Sequence, residues 1–220
     1  MIIKNDLANN LVIYQDNNQN NYTQDSLLLV DFININKKCN QILELCAGNG
    51  PISMLLTNKT DISISSVELQ EKNVELFTKS IKHNKIDNQI TIYHDNVIDI
   101  NQKIGANCWD LIVCNPPYYK VDTDTKIHKK DALGIARHEL ELTFKQLVKE
   151  VKTLLSNKGK FVFIHVAIRF DELIKTLHEY NFHISRIQFI YTNNKEASRV
   201  LVECVKHDSV HTKILPPTTI

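Results

Sequence analysis

Residues 41–53 read Gln-Ile-Leu-Glu-Leu-Cys-Ala-Gly-Asn-Gly-Pro-Ile-Ser, and this stretch decides the fold. The run Gln41–Leu45 is too short and too apolar for a surface helix, which predicts a strand buried on both faces. Gly48 and Gly50 then allow the backbone to turn tightly and to approach a ligand. The helix that follows presents free N–H groups, so a carboxylate or phosphate is expected at the turn.

The same alternation of strand and helix continues along most of the chain. Further strands are predicted at Ile62–Val67, Ile90–Tyr93, Asp110–Cys114, Lys160–His165, Ile184–Ile190 and Val200–Val205, and helices at Glu71–His83, Glu139–Leu155 and Arg169–Tyr180. This alternation predicts a parallel, doubly wound α/β sheet. No helical pattern separates the last two strands, so we expect them to form an antiparallel hairpin at the sheet edge.

The N-terminal region is predicted to be an extension of one strand and one helix. The strand is Leu11–Tyr14, and the helix is Asp25–Ile35, which Asp25 or Ser26 can cap. No internal repeat and no linker rich in Pro, Gly or Ser interrupts the 220 residues. We therefore predict a single domain over residues 1–220, with residues 1–40 as this extension.

The charge balance and the cysteines exclude several classes of protein. The chain has 26 Lys+Arg against 25 Asp+Glu and 43% hydrophobic residues, which excludes a disordered or collagen-like protein. Its five cysteines form no CxxC pair, so neither a zinc site nor a disulfide framework is expected. The first residues lack the features of a signal peptide, and the apolar run 161–168 is too short to span a bilayer. We therefore expect a cytoplasmic protein that binds no metal.

Three acidic side chains stand at the ends of three successive predicted strands. Glu44 favours S-adenosylmethionine as the ligand, because the ammonium and carboxylate groups of that cofactor need both charges nearby. Glu68 ends the next strand and can accept hydrogen bonds from two ribose hydroxyls. Asp95 follows the third strand and can accept one from the adenine amino group. Ser53 stands where a dinucleotide site needs a third glycine, which argues against a nicotinamide dehydrogenase.

The most specific feature of the chain is Asn115-Pro116-Pro117-Tyr118, directly after a buried strand. The two prolines prevent the strand from continuing, so the Asn115 side chain and the Pro116 carbonyl are expected to point into the cleft. Two acceptors that hold the two hydrogens of an exocyclic amine free its lone pair to attack a methyl sulfonium. Tyr118 can stack on a flipped base. The alternative is a rigid turn with a structural tyrosine.

This motif, with residues 44–50 upstream, resembles the amino-methyltransferases of the S-adenosylmethionine-dependent Rossmann-like superfamily. Residues 22–29, 135–139 and 196–203, with Pro216 and Pro217, are most similar to the bacterial tRNA1(Val) adenosine-37 N6-methyltransferase group. The resemblance implies the seven-stranded, mostly parallel sheet of class I methyltransferases, with S-adenosylmethionine as cofactor. It also implies that a monomer methylates N6 of adenosine 37 in the anticodon loop of a valine tRNA, and that residues 1–40 cover the cofactor.

The resemblance assigns roles to individual residues. The residues expected to bind the cofactor are Asp25, Glu44, Cys46, Ala47, Gly48, Gly50, Glu68, Leu69, Asp95, Asn96 and Asn115. The residues expected to bind the reacting amine are Asn115, Pro116, Pro117 and Tyr118. Arg137 and His138 are expected to contact substrate phosphate, with a solvated helix start as the alternative.

Basic side chains near the motif are the candidate tRNA contacts. Lys129 and Lys130 lie in a stretch rich in lysine and are expected to bind phosphate beside the base pocket. Lys195 and Arg199, on the closing hairpin, are expected to contact the same RNA from the other side of the cleft. The alternative for both groups is a solvated basic surface. An anticodon loop suits the pocket because its bases are already unpaired.

Two rival functions remain open at this stage. Protein glutamine N5-methyltransferases of the release-factor type have the same Asn-Pro-Pro-Tyr motif but resemble a catalytic domain preceded by a helical substrate domain, and only residues 1–43 precede Glu44 here. A non-catalytic S-adenosylmethionine-binding partner subunit has no need of an intact motif at residues 115–118. A DNA adenine methyltransferase usually carries a target-recognition domain, for which the chain has no room.

Overall fold

The computed structural model describes residues 1–16, 24–116, 142–192, 195–207 and 210–220. The strands are β1 (Ile2–Leu7), β2 (Leu11–Asp16), β3 (Ile42–Leu45), β4 (Ile64–Glu68), β5 (Ile90–His94), β6 (Trp109–Cys114), β7 (Leu155–Val166), β8 (His183–Tyr191), β9 (Ala197–Val205), β10 (Lys213–Ile214) and β11 (Thr218–Thr219). The helices are α1 (Gln24–Phe32), α2 (Pro51–Leu56), α3 (Glu71–His83), α4 (Asn101–Ile104), α5 (Phe144–Leu154) and α6 (Phe170–Glu179), with a 3-10 turn at Ala167–Arg169. Each strand and helix predicted from the sequence is present in the part of it that is described.

The central sheet has the strand order β5-β4-β3-β6-β7-β9-β8. Strands β3 to β7 pair in parallel, and β9 runs antiparallel to both β7 and β8. The prediction of a mostly parallel sheet with an antiparallel hairpin at one edge is therefore confirmed. The last long strand, β9, lies inside the sheet between β7 and β8, and the short strands β10 and β11 pair with the outer side of β8.

Both faces of the sheet are covered, as the apolar strands require. One face packs against α1, α2, α3 and the N-terminal strands, and it includes Leu29 and Phe77. The other face packs against α5 and α6, and it includes Leu147, Phe163 and Leu173. None of the described helices is long and apolar enough to cross a membrane.

The N-terminal extension forms a two-stranded hairpin of β1 and β2, which is separate from the central sheet. The other edge of β2 forms hydrogen bonds with two side chains, one from α3 and one from the residue that follows α3. Asn84 Oδ1 accepts a hydrogen bond from Val12 N at 2.8 Å, and Ser80 Oγ accepts one from Tyr14 N at 2.9 Å. The sequence predicted β2 but missed β1, because β1 alternates exposed polar residues with half-buried ones and has no apolar run.

Two predicted boundaries differ from the structure. Strand β7 begins at Leu155, five residues before the predicted start at Lys160, and follows α5 without a loop. The polar residues at 156–158 hid this part of the strand. Helix α5 begins at Phe144 after a capping box in which the Thr143 hydroxyl accepts from Gln146 N. That cap sets the start of the helix within the described residues, while the prediction placed it at Glu139.

Candidate functional site

The carboxyl ends of the central strands bring the main candidate residues together. In the register of the sheet, Leu45 pairs with Val67 on β4 and with Cys114 on β6. The residues that follow those three positions are the start of the glycine turn, Glu68 and Asn115. They therefore meet at one edge of the sheet, where parallel α/β sheets bind their ligands.

The glycine turn is held by backbone hydrogen bonds and needs its two glycines for different reasons. Ala47 N donates to Val67 O at 3.0 Å, and Gly50 N donates to Ala47 O at 2.9 Å. Gly48 has φ +57°, and a Cβ added there would meet nothing within 4 Å, so this glycine faces open space. A Cβ on Gly50 would lie 2.0 Å from the Phe77 ring. The glycine at position 50 is therefore required by packing against α3.

Glu68 ties this turn to the end of β4. Its carboxylate is 6% exposed and accepts hydrogen bonds from Gly48 N at 2.7 Å and Gln70 N at 2.9 Å. Asn73 Nδ2 donates to the same carboxylate at 3.1 Å. Gln70 N and Asn73 Nδ2 both donate to Oε1 and Gly48 N donates to Oε2, so roughly one of the four acceptor positions remains for a ribose hydroxyl. Asn73 was not predicted from the sequence, although its position in the first turn of the helix after Glu68 favours a contact with that carboxylate.

Glu44 lies deeper, under the turn, and is 1% exposed. Its Oε2 accepts a hydrogen bond from Ser53 N at 3.0 Å and another from the Ser53 hydroxyl. The Ser53 hydroxyl lies 2.7 Å from that of Ser66 on β4. Burial raises the pKa of Glu44 to about 8, although the hydrogen bonds from Ser53 act in the opposite direction. The serine that replaces the dinucleotide glycine is thus the hydrogen-bond partner of the buried acid.

Asp95 lies next to the end of β4, because its backbone N–H donates to Glu68 O at 3.0 Å. Its carboxylate forms an ion pair with Lys103 on α4, and the hydrogen bond from Lys103 lowers the pKa of Asp95. Leu69, which is 39% exposed, presents apolar surface at the same edge. The sequence analysis did not identify Lys103. Asn96 lies beside Asp95, and its side chain accepts from Ile98 N at 2.9 Å.

Asn115 follows the last residue of β6 and has an unusual side chain. Its Oδ1 atom is buried and has no hydrogen-bond partner within the described residues. A buried acceptor without a donor is costly, and such groups in native proteins commonly serve a ligand. Pro116 is buried beside it. The other candidates in this part of the chain lie outside the described residues: Pro117, Tyr118, Lys129, Lys130, Arg137 and His138.

Asp25 and Arg199 contact each other directly. Arg199 Nε donates to Asp25 Oδ2 at 2.9 Å, which joins the start of α1 to β9. The sequence analysis assigned Asp25 to the cofactor and Arg199 to RNA, and it did not foresee this pair. Lys195, in the connection between β8 and β9, is exposed.

His165 on β7 was not identified from the sequence. The β6–β7 register pairs Cys114 with Phe163, so His165 lies level with Pro116. The imidazole is 1% exposed and makes an edge contact with Phe144, with 5.7 Å between ring centroids. Burial first, and the charge of Arg169 second, lower the pKa of His165 to about 4. Its position as the last residue of the predicted strand Lys160–His165 could have indicated that it lies at the same edge of the sheet.

The described residues contain no group of three His, Cys, Asp or Glu side chains that could hold a metal ion. Cys46, with φ 58°, follows β3 at the site, and Cys114 is buried at the end of β6. Burial raises the pKa of Cys114 well above its usual value, and Cys46 and Glu44 add to the effect. The Cys114 thiol is therefore not prepared to act as a nucleophile.

Comparison with known proteins identifies the family. Residues 19–185 match the family model described as methyltransferase small domain. The chain belongs to this family. Membership confirms the predicted enzyme class, a methyltransferase, and the predicted cofactor, S-adenosylmethionine.

Two relatives illustrate the similarity in sequence. The tRNA1(Val) (adenine(37)-N6)-methyltransferase of Aliivibrio salmonicida is 29% identical over 181 residues, which is 81% of this chain and 74% of that protein. The protein of the same name from Dyadobacter fermentans is 24% identical over 179 residues, 80% of this chain and 72% of that one.

Solved structures confirm the fold. An O-methyltransferase from Agrobacterium tumefaciens superposes with a TM-score of 0.69 at 16% identity, over 89% of this chain and 86% of that one. The ribosomal protein L11 methylase of Lactobacillus delbrueckii gives a TM-score of 0.58 at 14% identity, over 84% and 78% of the two chains. The mostly parallel sheet with its antiparallel edge hairpin agrees with the class I methyltransferase fold that the resemblance implied.

Proposed function

We propose that this protein transfers a methyl group to N6 of adenine 37 in the anticodon loop of a valine tRNA. It acts as a monomer in the cytoplasm, where its RNA substrate is found. The two relatives named for this activity align with about four-fifths of the chain. The observation that carries the proposal is the buried Asn115 Oδ1 atom, which receives no donor from the described part of the chain and lies at the strand end next to the glycine turn.

The residues at the sheet edge fit the cofactor. Gly48 leaves open space above the turn, Glu68 can accept one further hydrogen bond from a hydroxyl, and Leu69 offers an apolar surface for a base. Glu44 supplies negative charge for an ammonium group, and Asp95 is placed for the adenine amino group. When bound, S-adenosylmethionine supplies an electrophilic methyl group on a sulfonium.

Asn115 acts on the amine that receives the methyl group. Its Oδ1 accepts one of the two N6 hydrogens, and the Pro116 carbonyl accepts the other. These contacts draw the nitrogen out of conjugation with the ring and direct its lone pair toward the methyl group. A fixed acceptor needs no reorganisation during the reaction, which is the usual source of such catalysis. Tyr118 stacks on the base.

The tRNA contacts are assigned to basic side chains around this pocket. Lys129, Lys130, Arg137 and His138 are proposed to bind phosphate on one side, and the exposed Lys195 on the other. Arg199 is a weaker candidate, because Asp25 already holds its guanidinium at 2.9 Å. Asp25 in turn contributes to the cofactor site through the position of α1.

Three parallel incubations test the proposed substrate class. Each contains the protein, labelled S-adenosylmethionine and one substrate from cells that lack the enzyme, which is total tRNA, total protein or DNA. The products are then digested. We expect label in N6-methyladenosine from tRNA. Label in N5-methylglutamine would instead identify the release-factor type of activity, and absence of label in all three would support a non-catalytic partner.

A further inference from the structure

A chain of hydroxyl groups leads to Glu44 through the interior of the protein. Ser53 and Ser66 are both fully buried, and their hydroxyl oxygens are 2.7 Å apart. The charged form of Glu44 can only accept, so in that form the Ser53 hydroxyl donates its one hydrogen to Glu44 Oε2 and Ser66 donates to Ser53. Hydrogen bonds in such a chain polarise one another and strengthen the last one, which stabilises negative charge on Glu44.

No cation balances this carboxylate within the described residues, since none of the ion pairs found there includes Glu44. The titratable groups that face it are Glu68 on β4 and Cys114 on β6, and a charge on either disfavours the Glu44 anion. The donors from α2 and β4 are the two serines. Among the residues that the structure describes, Glu44 is therefore a buried acid with hydrogen bonds but without a counter-charge.

We propose that Ser53 and Ser66 are positioning residues that prepare Glu44 for the positive charge of the cofactor, and that Glu44 gives up a proton to solvent when the cofactor binds. This inference rests on the assignment of Glu44 to the cofactor site in the proposed function. It goes beyond that assignment because it couples binding to the protonation state of one named acid.

The size of the coupling follows from the protonation of Glu44 in the free protein. With a pKa of about 8, roughly nine in ten molecules carry the proton at pH 7. An adjacent ammonium group favours the charged carboxylate and lowers that pKa. Binding at pH 7 therefore releases close to one proton. If the pKa in the complex falls below 6, the affinity decreases roughly 50-fold from pH 8 to pH 6.

The experiment is titration calorimetry of S-adenosylmethionine into the full chain between pH 6 and 9. Buffers with different ionisation enthalpies report the number of protons released, and this measurement on the unmodified protein needs no variant. Glu44→Gln supplies the baseline, because the ammonium group of the cofactor titrates alike in both proteins. We expect the released proton, and the steep loss of affinity below pH 8, to be absent in Glu44→Gln.

The serines are tested by the position of the pH profile. Ser53→Ala removes a donor to the charged form, which raises the pKa of Glu44, so the midpoint should move up by about one pH unit. Ser66→Ala should move it in the same direction by less. Ser80→Ala is the matched control, because Ser80 is equally buried but its hydroxyl donates to Leu76 O. We expect that control to leave the midpoint unchanged.

Each outcome decides between parts of the account. Proton release with the expected shifts in both serine variants supports the inference. Equal proton release in the unmodified protein and Glu44→Gln would overturn it, as would unchanged midpoints in Ser53→Ala and Ser66→Ala. If Glu44→Gln binds the cofactor as well as the unmodified protein at every pH, the assignment of Glu44 to the cofactor site also fails.

Discussion

Two buried carboxylates in this protein have opposite surroundings. Glu44, at the cofactor edge of the sheet, is 1% exposed and is hydrogen-bonded without an ion pair in the described residues. Glu203 on β9 is 4% exposed and lies between Lys160 Nζ at 3.1 Å and an Arg186 guanidinium nitrogen at 2.9 Å. Ser185 Oγ also donates to Glu203 at 2.8 Å. Within the described residues, Glu203 therefore has two positively charged partners, and Glu44 has none.

The difference lies in where each polar group finds its partner, which is either the protein itself or a proposed ligand. The Glu203 carboxylate has two positive partners and a hydroxyl donor, so it leaves no charge for a ligand to balance, and the ion pair contributes to a unique packing of β7, β8 and β9. At the carboxyl edge of the sheet, by contrast, the described residues provide no cation for Glu44 and no donor for Asn115 Oδ1. Groups that the fold leaves incomplete are the ones that a cofactor and an amine can complete.

The largest expected effect comes from removing the incomplete acceptor. Asn115→Ala should reduce methyl transfer at least 100-fold, about 2.7 kcal/mol of transition-state stabilisation, because the side chain holds the reacting amine. Cofactor affinity should stay within about twofold, since Asn115 acts chiefly in the transition state. Single-turnover kinetics and calorimetry measure the two quantities. Turnover above about a tenth of the original would contradict this role.

Removing the satisfied carboxylate should act on stability instead. Glu203→Ala leaves the half-buried Lys160 and Arg186 without this counter-charge, which should lower the free energy of unfolding by about 1–3 kcal/mol. Denaturant unfolding measures this loss. Calorimetry on the folded variant should find cofactor affinity unchanged. A large loss of affinity with little loss of stability would reverse the contrast between the two acids.

The free energy of unfolding of the cofactor-free protein should depend on pH through the titration of Glu44. Its pKa in the folded protein, about 8, lies above the ordinary 4.5, so the folded state favours the proton. The stability that this gives is present below pH 4.5 and is lost as the pH rises through 8. Between pH 5.5 and 7 the loss should be about 2 kcal/mol. Thermal unfolding of Glu44→Gln should lack this loss, and equal slopes in the two proteins would count against it.

His165 should give a smaller effect of opposite sign. Its folded pKa of about 4 lies below the ordinary 6.5, so the stability that it contributes is present above pH 6.5 and is lost as the pH falls through 4. The loss from pH 7 to pH 5.5 should be about 1 kcal/mol. Comparison of His165→Gln with the unmodified protein isolates it from other histidines. A variant with the same acid sensitivity would show that His165 does not titrate in this window.

The sequence predicted most of the fold because buried strands and amphipathic helices have characteristic apolar periods. Helix α3 has the predicted bounds, Glu71–His83, whereas β1, β10 and β11 were missed. These three strands are short or largely exposed, so no apolar run marks them. Chain order could predict the strand order of the methyltransferase fold through the resemblance, but not the pairing of β2 with side chains of α3.

In the site, the sequence located the acids but not their partners. Strand ends can be found from periodicity, and this placed Glu44, Glu68 and Asp95 at one edge. Their partners come from other segments, as Ser66 and Lys103 do, and only the packed structure brings them together. Gly50 is a similar case, because its role depends on the Phe77 ring.

The central claim is methylation of N6 at position 37 of a valine tRNA, and one measurement tests it most directly. Two unmodified transcripts of that tRNA, identical except for adenine or guanine at position 37, are incubated with the protein and labelled S-adenosylmethionine under single-turnover conditions. The account predicts one methyl group per molecule of the adenine transcript, recovered as N6-methyladenosine, and none in the guanine transcript. Equal labelling of the two transcripts, or no labelling of either, would contradict it.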